Sequence, residues 1–138
     1  MILVDTNLFV ALLNERDKNY SKAHKIFNQL TSGLYGTRFT ISEVFSETIT
    51  LLFRKTKRMD IVSLGWDLIY GSENIWLQTL DITMEIREQA WNIFQKYTTV
   101  RRPLSFVDCL LIAVAEQYEI KMIASFDSEF DGILDRIY

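Results

Sequence analysis

The chain opens on Met1-Ile2-Leu3-Val4-Asp5-Thr6-Asn7, and no other stretch restricts its fold as strongly. Ile2, Leu3 and Val4 are consecutive, apolar and mostly β-branched, with no polar alternation. A strand covered on both faces, as in a parallel sheet, has this composition. The run stops at an acid, and Thr6 and Asn7, both suited to capping, lead into a helical pattern from Leu8. Open α/β sheets place their ligands at the C-terminal edge of the strands, which is where Asp5 falls. The same position suits a helix cap, so this stretch alone leaves both roles open for Asp5.

Periodicity orders the rest of the chain. It predicts a short helix over Leu8 to Asn14, broken by the polar stretch Glu15–Asn19, and a second helix from Tyr20 to Leu30. A strand is expected over Leu34 to Thr40, then helices over Ser42 to Lys57 and Asp60 to Tyr70. Ile75 to Leu80 fits a third strand, followed by a long helix over Asp81 to Tyr97. Thr98 to Leu104 is a polar, basic loop with the only proline, and Ser105 to Tyr118 reads as a buried helix. Lys121 to Ala124 reads as another buried strand, and the tail closes on a short strand. Strands alternating with helices make an α/β three-layer sandwich: a central, mostly parallel sheet of about four or five strands flanked by helices. One domain is expected over residues 1–138.

Composition excludes several function classes. Nearly half the residues (49%) are apolar and one is proline, which makes the chain globular. A net charge of −3 argues against coating nucleic acid non-specifically, although it permits a local basic rim around an acidic site. Cys109 is the single cysteine and has apolar flanks, so a buried, inert thiol in a reducing compartment is expected. His24 is equally alone, which disfavours zinc of the His/Cys type. With no signal-like N-terminus and no long apolar run, the expectation is a soluble, cytoplasmic protein that does not enter a membrane. Trp66, Trp76 and Trp91 are expected to pack in the core rather than to stack on bases.

The acids carry the chemistry. Asp5 and Asp127 each follow a short buried run, Asp108 lies in the first turn of the buried helix, and Glu43 and Glu47 sit early in a helix that follows a strand. In a parallel sheet these positions fall at one edge. Crowded carboxylates repel and tend to hold protons, and a divalent cation removes that penalty. Oxygen ligands without His or Cys suit Mg²⁺ or Mn²⁺. Such ions bridge carboxylates to phosphate and activate water, so the expected reaction is phosphodiester hydrolysis. Glu129 and Asp131 read as solvent-facing, and Asp17, Asp60, Asp67 and Asp81 as loop or helix-start acids. Counter-charge for RNA is available from Arg54, Lys55, Lys57, Arg58, Arg101 and Arg102, although the Arg54–Arg58 group also suits a helix C-terminus.

Four stretches together resemble the four motifs of the PIN domain: Val4-Asp5-Thr6-Asn7, Thr40 to Glu47, Leu104 to Cys109, and Ser125 to Phe130. The resemblance spans nearly the whole chain in the right order. It implies a metal-dependent endoribonuclease, and the small stand-alone members are commonly VapC-type toxins paired with a VapB-like antitoxin. Carried onto this chain, it makes Asp5, Glu47, Asp108 and Asp127 the catalytic, Mg²⁺- or Mn²⁺-binding acids. Asn7, Ser105 and Ser125 would orient them or the attacking water. Glu43 is the alternative to Glu47, and Glu47 matches the pattern better. Ser125 stands where the family often has Thr, keeping the hydroxyl. An antitoxin and a second copy of the chain are the implied protein partners, RNA the substrate. Two further readings stay open: a housekeeping nuclease, and a catalytically silent module binding RNA or protein. A phosphatase-type nucleophile at Asp5 is disfavoured, because a second acid is normally needed where Asn7 stands.

Overall fold

Ile2, Leu3 and Val4 have no exposed surface and form β1 (Ile2–Val4), the middle strand of the sheet. The computed structural model describes residues 1–71 and 76–138. Among them are four more strands: β2 (Arg38–Ile41), β3 (Gln78–Leu80), β4 (Met122–Ala124) and β5 (Asp135–Ile137). All pairings are parallel and the order is β3-β2-β1-β4-β5. Leu3 lies opposite Phe39 on one side and Ile123 on the other.

Six helices connect these strands: α1 (Thr6–Leu13), α2 (Tyr20–Thr31), α3 (Ser42–Thr56), α4 (Met59–Tyr70), α5 (Met84–Tyr97) and α6 (Phe106–Gln117). Chain order moves from β1 to β2 to β3 toward one edge, then returns to β4 on the far side of β1. Right-handed crossovers therefore place α1 to α4 on one face and α5 with α6 on the other. The packing agrees: α1 lies against α2, α3 and α4, and α5 against α6. The order reverses between β1 and β4, which makes their C-terminal ends the expected ligand crevice of a doubly wound sheet.

The main core gathers β1, β4 and the inner helix faces; α6 is buried continuously from Asp108 to Ala115. A smaller cluster of Val10, Leu52 and Val62 joins α1, α3 and α4. Gly65 lets α4 approach there: a Cβ at this position would lie 2.7 Å from Leu52 Cδ1. Cys109 is buried, and His24 is exposed with its ring edge-on to Tyr20. No described helix is long and apolar enough to cross a membrane.

The elements depart from the sequence-based expectations at their starts. β2 begins at Arg38, because Gly33 (φ +85°) and Gly36 (φ +72°) keep the chain turning and leave Leu34 exposed. Ile75, the expected start of the third strand, lies outside the described residues. Trp76 does not join the ladder: its indole N–H donates to Leu68 O at 2.9 Å and its carbonyl accepts from Arg38 Nε. α5 starts three residues late, after Thr83 caps it by accepting from Ile86 N at 3.3 Å. The expected burial of all three tryptophans is wrong for two. Trp66 and Trp91 are each 54% exposed, because α4 and α5 turn those positions outward while Trp76 packs on Phe9 and Phe27.

Candidate active site

Backbone pairing continues past the strand ends at the switch point. Asp5 N donates to Ala124 O at 3.1 Å and Ser125 N to Ile137 O at 3.1 Å, so both residues inherit the order of the sheet. Three acids then sit at the starts of helical turns. Asp5 caps α1 by accepting from Thr6 N at 2.7 Å. Asp108 completes a capping box with Ser105: Ser105 N donates to Asp108 Oδ2 at 2.7 Å and Asp108 N to Ser105 Oγ at 3.1 Å. Asp127 caps the 3₁₀ turn Ser128–Phe130 by accepting from Glu129 N at 2.9 Å. Capping and clustering are thus both satisfied, since the positive ends of helical turns converge where the carboxylates collect.

Asp5, Glu47, Asp108 and Asp127 line one cleft of about 290 Å³, with Thr6, Ser105, Lys55 and Pro103 in its wall. Glu47 reaches it from the second turn of α3, where Thr6 Oγ1 donates to its Oε2 at 2.9 Å. Ser125, fully buried, donates to Asp5 Oδ2 at 2.7 Å and accepts from Asn7 Nδ2 at 3.0 Å and from Asp127 N at 3.0 Å. Asn7 Oδ1 accepts from Phe126 N at 2.9 Å, tying α1 to the loop after β4.

Burial dominates the electrostatics. It pushes the Asp5 carboxyl from an ordinary 3.8 up to about 7; the Ser125 and Thr6 donors pull against it, and the charges of Asp108 and Asp127 add to it. Asp108 is pushed up to about 6 by burial, with Asp127 and Glu47 adding and Ser105 opposing. Among the described residues, no three His, Cys, Asp or Glu side chains close to metal-ligand spacing. Both oxygens of Asp5 and one of Asp108 face protein donors instead, which satisfies carboxylates that would otherwise repel.

Other expected residues fall elsewhere. Glu43 lies outside the cleft, accepting from Arg87 Nη2 at 3.1 Å and from Ser42 Oγ at 2.8 Å. Arg102 faces inward, its guanidinium donating to the carbonyls of Glu129 and Asp131. Arg54 and Arg101 are exposed and line no part of this cleft, whereas Lys55 does. Asp131 pairs with Arg136 at 2.7 Å. Two contributors escape a reading of the sequence. Thr6 looked like a cap residue, and Asp17, 3.9 Å from Lys55, looked like a loop acid. The only signal for Thr6 is its place directly after the strand-ending acid.

The model of the PIN domain family matches residues 2–133. A VapC ribonuclease of Archaeoglobus fulgidus is 29% identical over 128 residues, covering 93% of this chain and 78% of that protein. Among solved structures, Mycobacterium tuberculosis VapC20, described as a sarcin-ricin loop cleaving toxin, superposes with a TM-score of 0.80 at 25% identity. That match covers 94% of this chain and 92% of VapC20. A toxin-antitoxin complex from Klebsiella pneumoniae shares the fold with a TM-score of 0.68 at 15% identity, over 100% of this chain and 97% of that one.

Proposed function

Because the chain belongs to the PIN domain family, we propose that it is a toxin endoribonuclease hydrolysing RNA phosphodiester bonds at the Asp5–Glu47–Asp108–Asp127 cleft. One observation carries this reading: acids from four separate elements line a single cleft at the switch point of the sheet. Similarity to proteins named VapC ribonuclease supports the choice of RNA, and similarity to VapC20, described as a toxin, supports the role of toxin.

The donor set is all oxygen, which fits Mg²⁺ or Mn²⁺ held by Asp5, Asp108, Asp127 and Glu47. When bound, the ion neutralises the crowded carboxylates, polarises the phosphate and lowers the pKa of water. The chain's own groups do the rest. Ser125 and Thr6 N fix the two oxygens of Asp5, and Asn7 fixes Ser125. Ser105 holds Asp108, and Thr6 Oγ1 holds Glu47. Without the ion, burial raises Asp5 and Asp108 to about 7 and about 6; a bound cation would hold both as carboxylates. Water's oxygen attacks phosphorus, the bond to the departing sugar oxygen breaks, and a carboxylate accepts water's proton. The departing oxygen takes a proton from solvent to leave as the alcohol. Lys55 supplies positive charge at the cleft wall for the substrate phosphate.

An antitoxin and a second copy of the chain are the proposed protein partners. The aromatic group of Phe45, Trp66 and Tyr70 on α3 and α4, with Trp66 and Tyr70 exposed, is the apolar surface that supports them. The test of the activity is incubation of purified protein with RNA in Mg²⁺ or Mn²⁺, beside Asp5→Asn. Cleavage by the wild type that the variant loses is expected. No cleavage, or equal cleavage by both, would overturn the reading.

A further inference from the structure

A second cleft of about 620 Å³ adjoins the acid cleft and shares Asn7, Asp17, Lys55 and Asp127 with it. The Asp17–Lys55 contact at 3.9 Å stands between the two. One wall of the second cleft is the loop between α1 and α2, which contributes Arg16 and Lys18; the other is Phe126 to Ser128, after β4. Resting on the ribonuclease reading above, we propose that this cleft is an RNA subsite, binding a nucleotide adjacent to the scissile phosphate.

Charge points to a polyanion. Arg16 and Lys18 are exposed, and no described carboxylate lies within ion-pair distance of either. In a chain of net charge −3, this basic wall beside the acids is a local departure from the average. Order points to a built surface. Asn14 Oδ1 accepts from Arg16 N at 3.3 Å, Asp17 Oδ1 from Asn19 N at 2.9 Å, and Asp17 O from Tyr20 N at 3.0 Å. The loop that carries the cations is therefore held in shape before anything binds. The amides of Asn14 and Asn19 offer hydrogen bonds, beside Phe126, whose side chain packs partly against the core and whose N–H is held by Asn7. Continuity favours RNA over an acidic protein segment. A strand whose phosphate lies among Asp5, Asp108 and Asp127 must leave that cleft, and the shared wall opens onto Arg16 and Lys18.

The experiment is binding of a fluorescent single-stranded RNA of about ten nucleotides, in EDTA so that nothing is cut, across a salt series. Arg16→Ala/Lys18→Ala is expected to bind about tenfold more weakly, with a log–log salt slope shallower by ~1.4. Lys25→Ala/Lys121→Ala removes the same charge from exposed positions on α2 and at the far edge of β4, and is expected to match the wild type. Arg16→Gln/Lys18→Gln repeats the test should the alanine variant melt early. Equal losses in both pairs, or none in the first, would overturn the subsite. So would a first pair that keeps RNA but loses a polyglutamate peptide, which would assign the cleft to an acidic protein segment. In a cleavage assay with Mn²⁺, the first pair is expected to raise KM more than it lowers kcat. Cleavage with an unchanged KM sinks the subsite and leaves the ribonuclease standing; a wild type that binds RNA through Arg16 and Lys18 but cuts nothing sinks the ribonuclease alone.

Discussion

Ser125 Oγ donates to Asp5 Oδ2 at 2.7 Å across 120 residues of sequence, joining the ends of two neighbouring strands through a fully buried hydroxyl. The same oxygen accepts from Asn7 Nδ2 and Asp127 N, so one atom links two of the four sequence stretches that line the site. Ser125→Ala removes that junction and the donor that opposes the rise of Asp5. A fall in cleavage of about tenfold is expected, with the acid limb of the pH–rate profile displaced upward. Ser125→Thr keeps the hydroxyl and is expected to restore the profile. An unmoved acid limb in the alanine variant would contradict this.

Asp5 and Asp108 cost the fold stability when ionised. Their carboxyls rise on folding from 3.8 to about 7 and about 6, so they favour the folded state below the unfolded value. That contribution is lost as pH climbs through the folded values. In chelator at about pH 8, Asp5→Asn is expected to be more stable than the wild type by on the order of 1–3 kcal/mol. The gap is expected to close toward about pH 4, where both are uncharged at this position. Melting curves across pH check it; a variant that melts lower at the alkaline end would refute the sign.

A divalent ion is expected to reverse that penalty in the wild type. At a hundredfold excess over Kd, Mn²⁺ or Mg²⁺ stabilises a one-site protein by about 2.7 kcal/mol. Glu47→Gln and Asp108→Asn are expected to shrink the response. Glu43→Gln is expected to leave it intact, because Glu43 is engaged by Arg87 and Ser42 outside the cleft. Thermal shift with and without EDTA reads the difference, and a response that follows Glu43 would exchange the two assignments.

Arg102 is a clamp on the chain rather than a free cation. Its guanidinium donates to the carbonyls of Glu129 and Asp131 and so holds the turn beside Asp127. Arg102→Ala is expected to lower unfolding stability by about 1–3 kcal/mol. Arg102→Lys is expected to recover little, because one ammonium cannot reproduce the fork. Urea denaturation measures the loss, and the salt slope of RNA binding is expected to stay at the wild-type value. A shallower slope with full stability would return Arg102 to the RNA surface.

The inner strands were readable because burial on both faces leaves a plain mark: Ile2-Leu3-Val4 and Met122-Ile123-Ala124 carry no polar residue. The meeting of Asp5, Asp108 and Asp127 follows from the same marks, since each acid ends a buried run or opens a buried helix. What stayed hidden depends on partners remote in sequence. Nothing local shows that Arg102 turns onto the carbonyl of Glu129, or that Lys55 meets Asp17. Trp66 and Trp91 misled because their size suggests core, while helix rotation, decided by their neighbours, sets them outward. Glu43 and Glu47 are four apart on one helix, and only the placement of Thr6 and Arg87 separates them.

The order of the sheet also sets when the acid cleft can form during synthesis. Asp5 is synthesised before its neighbours β4, Ser125 and Asp127, which come more than a hundred positions later in the chain. A nascent chain that ends before β4 lacks Ser125 and Asp127 and so holds no complete acid cleft. Translation must run past Asp127, and that segment must leave the exit tunnel, before the acids meet. The cleft thus stays incomplete until the stretch that carries Asp127 has been made.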